Sequence, residues 1–522
     1  METKIIDFLI QNFYGCVKFP SNRDKLNRII PDVAGETGVI VIRNNEEDLR
    51  TTQDYLDAFP PHSEVTLITS RDFLSKKDEL FSHYSLIFVD DFQKCDLYTL
   101  VILQEWYKKF LGTGETKIPY LLLGTLIDSY PKLPFPLKNF LDLTYSDTEP
   151  VQMKHSKDNF DLGYDDLYER LGEIILEDAL DGGRYLVILP DQKRIDEMEE
   201  RLNQKDTLLV STKILYKTTR HRKPVVMLST DTSRTGIFIE DLDCVYDSGE
   251  VMRKYTTRTG SDQMLLKKID REELQIRRDS YDPVRYTVMI PKASVLNLPR
   301  TTISLPYRIN LPPHMLFLFS NKIHEVPLTK NLDNIINELL LLNLINPDMS
   351  VTVKGEFCMN SNLDIYNSSF LYYAVKNNLP LFPVIVLVSI FHHSPKGKKF
   401  RDLYEIVTTV LARGKEHIPD NLRSLFETID EFSDEFEISP SEKIFHPENR
   451  WNELLEHIPK SYLGRVCHYT GGEYRDGHGE VWKFPHEKTR DVAKLILPTS
   501  RYTNEKGENY MDYVVPLKEM SR

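Results

Sequence analysis

The sequence has few cysteines, and their spacing pairs none of them. Five occur among 522 residues, Cys16, Cys95, Cys244, Cys358 and Cys467, and no two form a CxxC motif. Disulfide frameworks and cysteine zinc sites need closely spaced pairs, so the pattern argues against both. It favours an intracellular, reducing compartment.

Long apolar runs and an excess of positive charge are also missing. The longest apolar run, residues 379–391, has 13 residues and contains two prolines, whereas a membrane-spanning helix needs about 20. The amphipathic, acid-containing start METKIIDFLIQNF is not typical of a signal peptide. We therefore expect no membrane partner. The net charge of −13 argues against a protein that coats nucleic acid with most of its surface, but it permits a local basic groove.

A phosphate-binding loop is missing as well. Such a loop needs glycines whose backbone amides face phosphate, and a Gly-Lys pair followed by Ser or Thr. No such triplet occurs, and the place expected for it, residues 18–26, contains no glycine. The tetrapeptide at 35–38 has two glycines but leads into a predicted strand. Lys25 alone could take the place of the loop lysine.

Two stretches of the chain alternate short apolar runs with helical spacing, on either side of an aperiodic polar segment at 144–163. Strands are predicted at 38–42, 65–68, 85–89, 120–123, 185–189, 208–211 and 225–229, and helices at 46–58, 164–180 and 194–202. Continuous apolar strands are typical of parallel sheets covered on both faces. The pattern predicts two tandem α/β domains, with ligands near the carboxyl ends of the strands.

The character of the chain changes after about residue 292. We predict helices at 332–344, 371–391 and 401–411, a small wing or turn at 352–355, an acidic surface segment at 420–440, and a β-rich small barrel from residue 460. Helices followed by a barrel suggest further, separate domains.

Two acids, Asp90 and Asp91, follow the predicted strand 85–89. Carboxylates at the end of a strand are where a nucleotide-bound magnesium ion and a water-activating acid would lie. The alternative interpretation is that both acids only form the turn.

The motifs, taken in order, resemble those of DEAH-type helicases. Residues 85–99 (SLIFVDDFQKCDLYT) resemble the segment around the DEAH box, with Asp91 in place of the catalytic Glu. Residues 122–126 resemble the Ser-Ala-Thr motif, of which only Thr125 matches. LVILPDQKRID at 186–196 is similar to the start of the second helicase domain. VVMLSTDTSRTGIFI at 225–239 resembles motif five, with Thr230 and Thr235 kept. At 276–283 only Arg277 of motif six remains.

The resemblance implies a fold of two tandem RecA-like domains followed by winged-helix, helical ratchet and OB-like domains. The implied boundaries are 1–148, 149–292 (with a β-hairpin), 293–360, 361–455 and 456–522. It also points to a large DNA virus as the source, and hence to a virion or viral factory as the location. An α/β protein of some other two-domain kind is the alternative.

The resemblance also implies site residues. Remnant catalytic positions are Asp90, Asp91 and Arg277; nucleotide-binding positions are Lys25 and Thr235; Asp90 would be the magnesium ligand. Implied nucleic-acid contacts are Arg43, Arg71, Thr125, Thr230, Lys217, Arg220, Arg222 and Lys223, and the basic runs among them are equally interpretable as solvated loops.

Loss of the glycines and of both motif-six arginines removes most of what positions and neutralises a phosphoryl group, since one such arginine can account for 10³–10⁵ in rate. We therefore expect a catalytically degenerate helicase-like protein that is a binding or structural component of a larger protein assembly, with no cofactor. The alternatives are an active ATP-dependent RNA helicase that uses ATP and Mg²⁺, and an RNA-binding module without ATP. The oligomeric state stays open.

Overall fold

The computed structural model describes residues 1–35, 38–113, 118–127, 133–144, 151–158, 160–161, 163–179, 182–204, 207–218, 222–230, 237–256, 262–300, 310–327, 332–361, 363–379, 381–393, 429–430, 433, 458, 461–462, 467–470, 473–475, 481–482, 495–503 and 509–516. The chain forms two compact units. Unit 1 comprises Met1–Tyr255 and Gln263–Ile309, and unit 2 comprises Thr256–Asp262 and Asn310–Arg522. The five finer domain boundaries stay predictions.

Unit 1 begins with a parallel six-stranded sheet. Its strands are β1 Tyr14–Lys18, β2 Val39–Arg43, β3 Val65–Thr69, β4 Leu86–Val89, β5 Tyr120–Thr125 and β6 Phe140–Asp142, in the order β3-β2-β4-β5-β1-β6. The helices around it are α1 Glu2–Asn12, α2 Ile30–Ala34, α3 Glu46–Ala58, α4 Ser70–Ser75, α5 Lys77–His83 and α6 Leu97–Thr113. The predicted strands and the helix at 46–58 are confirmed.

A second parallel six-stranded sheet completes unit 1. Its strands are β7 Gln152–His155, β8 Arg184–Leu189, β9 Leu209–Ser211, β10 Val225–Thr230, β11 Cys244–Asp247 and β14 Arg285–Val288, in the order β7-β14-β11-β8-β10-β9. Helices α7 Asp165–Asp178, α8 Gln192–Asn203, α9 Arg271–Ser280 and α10 Lys292–Val295 belong to this part, as does a ribbon of β12 Glu250–Thr256 and β13 Asp262–Lys268.

Strand β7 corrects the prediction of an aperiodic break at 144–163. Its sequence, QMKH, has no apolar run because it is an edge strand that pairs only with β14. Hydrophobic periodicity and apolar content are weak signals for such a short edge strand.

One cluster of buried apolar side chains runs through both sheets. It joins residues of the first sheet, such as Val41 and Phe88, to residues of the second, such as Leu186 and Met227. The two sheets of unit 1 therefore share a hydrophobic core. Central strands such as β2 and β8 are buried along their whole length, and cover on both faces explains their continuous apolar sequences.

Unit 2 is helical at first and then β-rich. Its described elements are α11 Leu311–Ser320, α12 Leu332–Leu341, α13 Val353–Asn360, α14 Ile365–Lys376, α15 Leu381–His393, β15 Cys467–Thr470, β16 Glu473–Arg475, β17 Val481–Trp482, β18 Leu495–Thr503 and β19 Asn509–Pro516. The strands form an antiparallel sheet in the order β17-β16-β15-β18-β19. The predicted helix at 401–411 lies outside the described residues.

The wing or turn predicted at 352–355 is wrong. Thr352 is the N-cap of α13, and its Oγ1 accepts a hydrogen bond from the backbone amide of Gly355 at 3.0 Å. A threonine three residues before a glycine fits both a turn and a helix start, and here the capping preference of threonine prevails. Gly355 is required by close packing, because a Cβ there would lie 2.1 Å from the carbonyl oxygen of Leu344.

In the part of the chain that the structure describes, no helix has both the length and the apolar character that crossing a bilayer demands.

Gly124 in β5 should not tolerate a side chain. A Cβ at this position would lie 2.7 Å from Cζ of the buried Phe88 and 3.2 Å from Oδ1 of Asp90. We expect Gly124→Ala to lower the free energy of unfolding by about 1–3 kcal/mol, as overpacking does in a dense core, when measured by urea denaturation.

Gly112→Ala is the matched control, because Gly112 lies in α6 and a Cβ there meets nothing within 4 Å. It should leave stability unchanged or raise it by up to about 1 kcal/mol. Equal effects of the two substitutions would contradict the packing argument.

Candidate functional site

The segment between β1 and α2 stands where a phosphate-binding loop would follow its strand. Residues 19–24 form a glycine-free loop, and Lys25–Ile29 is one turn of π-helix, closed by the amide of Ile29 donating to the carbonyl of Asp24 at 2.8 Å. Asp24 itself is left-handed, with φ 56°. The chain therefore enters α2 through a π-helical turn and not through a glycine-rich loop of the kind that binds phosphate.

Several backbone amides of this loop are already engaged. The amide of Phe19 donates to the carbonyl of Thr125 at 2.8 Å, and that of Asn22 donates to the carbonyl of Ser280 at 3.2 Å. The amide of Arg23 donates to Ser21 Oγ at 3.2 Å. Pro20 has no amide hydrogen. A phosphate cradle needs several amides that converge on one point, and here they point to other protein atoms.

The carboxylate of Asp90 lies between two buried cations. Lys25 Nζ is 2.6 Å from Asp90 Oδ1, and Arg43 Nη1 is 3.0 Å from Asp90 Oδ2. All three side chains are at most 1% exposed. Lys25 also donates to Asn22 Oδ1 at 2.7 Å. We call Lys25, Asp90 and Arg43 the ion triad.

The ion triad determines the charge state of Asp90. Burial acts on the carboxyl most strongly and would raise its pKa, but Lys25 and Arg43 together outweigh burial, so that the pKa of Asp90 is lowered. The carboxylate is thus ionised, and each of its oxygens faces a cation that belongs to the protein itself.

Asp91 is in the opposite state. Burial, and after it the charge of the neighbouring Asp90, raise the pKa of Asp91 above its ordinary value. Its backbone is left-handed at φ 48°, and its Oδ1 accepts a hydrogen bond from Gln93 Nε2 at 3.3 Å. A carboxyl with a raised pKa could accept a proton, but the side chain of Asp91 is only 4% exposed.

Arg43 does not lie on a surface, which corrects its assignment as a nucleic-acid contact. Its side chain is fully buried against Asp90. The strand register explains this, because β2 pairs with β4 with Ile42 opposite Val89, so the next positions, Arg43 and Asp90, face each other. An arginine directly after a buried apolar strand was the signal in the sequence.

Arg277 is also buried, inside the second sheet domain. Its Nη1 lies 2.7 Å from Asp247 Oδ1, its Nε lies 3.2 Å from Glu273 Oε1, and both Nη atoms donate to the carbonyl of Glu250 at 3.3 Å. Tyr286 donates its hydroxyl hydrogen to Asp247. The guanidinium therefore stabilises the start of the ribbon and is not directed towards the ion triad.

The threonines assigned to ligand contact differ in how far they are exposed. Thr125 is 2% exposed, and its hydroxyl donates to the carbonyl of Ile127 at 2.8 Å, so it forms a turn inside the protein and is not presented to a ligand. Thr230 is half-buried at the carboxyl end of β10. Thr235 lies outside the described residues.

The remaining basic residues are on the surface. Arg71, in the first turn of α4, and Arg222 and Lys223, before β10, are exposed. Lys217 is exposed too, with Nζ 5.1 Å from the centre of the Phe59 ring. Arg220 lies outside the described residues. Nucleic-acid contact by the exposed residues stays a prediction.

A magnesium ion bound to Asp90 would lie beside two buried protein cations. The amides of Phe19, Asn22 and Arg23 would have to leave their present acceptors before they could bind a phosphate. Among the described residues, no three His, Cys, Asp or Glu side chains come together as a metal site. A pocket of about 640 Å³ lined by Asp32, Gly35, His62, Ser63 and Glu64 lies elsewhere, beside residues that precede β2 and β3.

Comparisons with known proteins give a fold and no family. No family model matches the sequence, and no curated protein matches it. Among solved structures, a crystal structure of the Escherichia coli DEAH/RHA helicase HrpB is similar over 99% of this chain and 70% of that chain, with a TM-score of 0.61 and 13% identity. A second, of the E. coli DExH-box NTPase HrpB, covers 99% and 68%, with a TM-score of 0.57 and 13% identity. The chain therefore has a helicase-like α/β fold.

Neutralising Asp90 should destabilise the fold strongly. In Asp90→Asn the two cations of the ion triad stay buried without their anion, and removal of one partner from a buried ion pair costs about 3–5 kcal/mol. We expect the urea midpoint to fall accordingly. A variant as stable as the natural protein would contradict the structural role of the triad.

Glu105→Gln is the control for Asp90→Asn. Glu105 Oε2 lies 2.8 Å from Lys77 Nζ, and both side chains are partly exposed. Such a pair contributes about 0–1 kcal/mol.

Asp91→Asn should stabilise the protein at neutral pH. Asparagine tolerates the left-handed conformation, can still accept from Gln93, and removes a carboxyl whose charged form burial disfavours. We expect the melting temperature to rise by about 2–4 °C.

The same substitution should flatten the pH dependence of stability. Since the folded-state pKa of Asp91 is raised, its favourable contribution is present at acid pH and is lost as pH rises through the folded-state pKa. The stability difference between Asp91→Asn and the natural protein should thus grow from about pH 4 upward. A constant difference across that range would contradict the raised pKa.

Proposed function

We propose that this chain is a catalytically degenerate DEAH-helicase-like protein that acts as a binding or structural component of a larger assembly. The observation that carries the proposal is the ion triad, in which Lys25 and Arg43 occupy both oxygens of Asp90. A metal ion bound to this carboxylate would lie beside two positive charges that are already buried there, and their repulsion would oppose its binding.

The position of Arg277 supports the same conclusion. The one motif-six arginine that the resemblance keeps, Arg277, is fully buried with Asp247 and Glu273 as partners. Ser280 stands at a position where the family has an arginine that reaches the γ-phosphate, and its hydroxyl donates to the carbonyl of Ile276 at 2.6 Å. Among the described residues, neither of these two positions presents a cation to a phosphoryl group, and charge neutralisation is a large part of such catalysis.

For unit 2 we propose the winged-helix, ratchet and OB-like assignments of the family. A winged-helix assignment is supported by the order of α11, α12 and α13, with a short bridge between Ile345 and Val351. An OB-like assignment is supported by the five-stranded antiparallel sheet at the carboxyl end. We further propose protein partners and no cofactor; the viral origin stays a prediction from the resemblance.

The test is a direct nucleotide-binding measurement on the purified full chain. Isothermal titration with ATP and Mg²⁺ at millimolar concentration should give no saturable heat. Saturable binding that needs Mg²⁺, together with phosphate release, would overturn the proposal in favour of an active helicase. In parallel, tagged protein isolated from its native cells should carry stoichiometric protein partners.

An RNA-binding module without ATP is the second candidate, and the exposed Arg71, Arg222 and Lys223 favour it. If it holds, affinity for single-stranded RNA should fall steeply with salt, and Arg71→Glu with Arg222→Glu should weaken it. Lys193→Glu, on α8 and exposed, is the control. RNA affinity that is absent or insensitive to salt would dismiss this candidate.

A further inference from the structure

We propose that the two sheets of unit 1 are locked in a closed arrangement by contacts of the protein's own residues, so that no nucleotide is needed to bring them together. We call the part of unit 1 around the first sheet lobe 1, the part around the second sheet lobe 2, and the contacts between them the joint. The inference goes beyond the proposed function, because it concerns motion and could hold whether or not ATP binds.

The joint begins at the glycine-free loop. The amide of Asn22 donates to the carbonyl of Ser280 at the end of α9. Next to it, the guanidinium of Arg23 stacks on Phe238 of lobe 2, with 4.8 Å between the guanidinium carbon and the ring centre. The segment that would envelop a ligand's phosphates in a nucleotide-dependent motor is thus bound to the opposite lobe.

A second contact is ionic and lies close to the ion triad. Lys94 Nζ of lobe 1 is 3.6 Å from Glu273 Oε1 of lobe 2. Glu273 in turn pairs with Arg277, which is bonded to the carbonyl of Glu250 at the base of the ribbon. The ribbon is therefore linked to lobe 1 through a series of largely buried charges.

Aromatic side chains form the third contact. The rings of Tyr55 and Tyr216 meet edge to face with 5.7 Å between their centres, and the Tyr216 hydroxyl lies 3.4 Å from the carbonyl oxygen of Thr51. Lys217 lies over Phe59 on the same side. Tyr55 lies on α3, and its hydroxyl is 3.4 Å from Oδ1 of Asn27, so this contact adjoins the π-helical turn.

The apolar core continues across the joint. Leu26 and Ile29, on the π-helical turn, belong to the same buried cluster as Ile237 and Ile239 of lobe 2. Opening the lobes would expose part of this cluster to water, which is unfavourable for apolar surface. Without a nucleotide to compensate, the closed arrangement is the favoured one.

The experiment measures the distance between the lobes in single molecules of the full chain. Dyes are placed on cysteines introduced at Gln53 on α3 and Lys193 on α8, both exposed, in a Cys467→Ser background. The other four cysteines are buried and will not react. We expect one narrow distribution of transfer efficiency that ATP with Mg²⁺ does not shift. Two populations, or a shift on adding nucleotide, would overturn the lock.

A loosened variant tests whether these contacts are responsible. Arg23→Ala, Lys94→Ala and Tyr216→Ala together should broaden the distribution and accelerate hydrogen exchange at the amide of Asn22 by roughly tenfold or more. Lys77→Ala, which removes an ion pair inside lobe 1, should change neither quantity. A loosened variant that behaves like the natural protein in both measurements would overturn the assignment of the joint.

The two proposals can fail separately. Nucleotide binding with an unchanged distance between the lobes would contradict the proposed function and support the locked arrangement of the lobes. Lobes that fluctuate although no nucleotide binds would remove the lock alone.

Discussion

The attraction between Asp90 and its two buried cations is the constraint on which the arrangement of unit 1 depends. Two positive charges and one negative charge lie at the carboxyl end of a parallel sheet, out of contact with water. Desolvation makes such a group costly unless every member keeps its partner. The lack of a side chain at Gly124 leaves room beside β5 for Phe88 and Asp90, and the π-helical turn positions Lys25. The position of each element near the triad follows from the need to keep these charges together.

The same place in a nucleotide-dependent motor holds a metal and a triphosphate. Here Lys25 and Arg43 provide positive charge beside Asp90. Backbone carbonyls accept hydrogen bonds from the loop amides, and residues of the second sheet domain contact the loop. Arg277 is likewise bonded to protein atoms, at the base of the ribbon. Both groups of buried charges therefore have partners inside the protein, which is what polar groups away from water require.

Seven of the twelve strands in the two sheets, β2 to β5 and β8 to β10, could be predicted from the sequence, because continuous apolar runs are strong local signals. Residues whose deciding partner lies far away in the sequence could not be placed correctly. Arg43 was predicted to be a surface contact, but the register of β2 on β4 places it opposite Asp90. The partners of Arg277, Asp247 and Glu250, lie about 30 residues away in the sequence, and no local pattern predicts them. The short edge strand β7 and the helix capped by Thr352 carry signals too weak or too ambiguous for periodicity alone.

The hydrogen bond between Asn22 and Ser280 also has a consequence for biosynthesis. The first sheet has all its strands once residue 142 has left the ribosome, yet the loop at 19–24 must wait for a carbonyl about 140 residues further on. At ordinary translation speeds that interval is on the order of ten seconds. During it, Leu26, Ile29 and their neighbours lack the apolar side chains of the second sheet domain that cover them in the folded chain. An apolar surface exposed in this way is prone to aggregate until the second sheet has been synthesised.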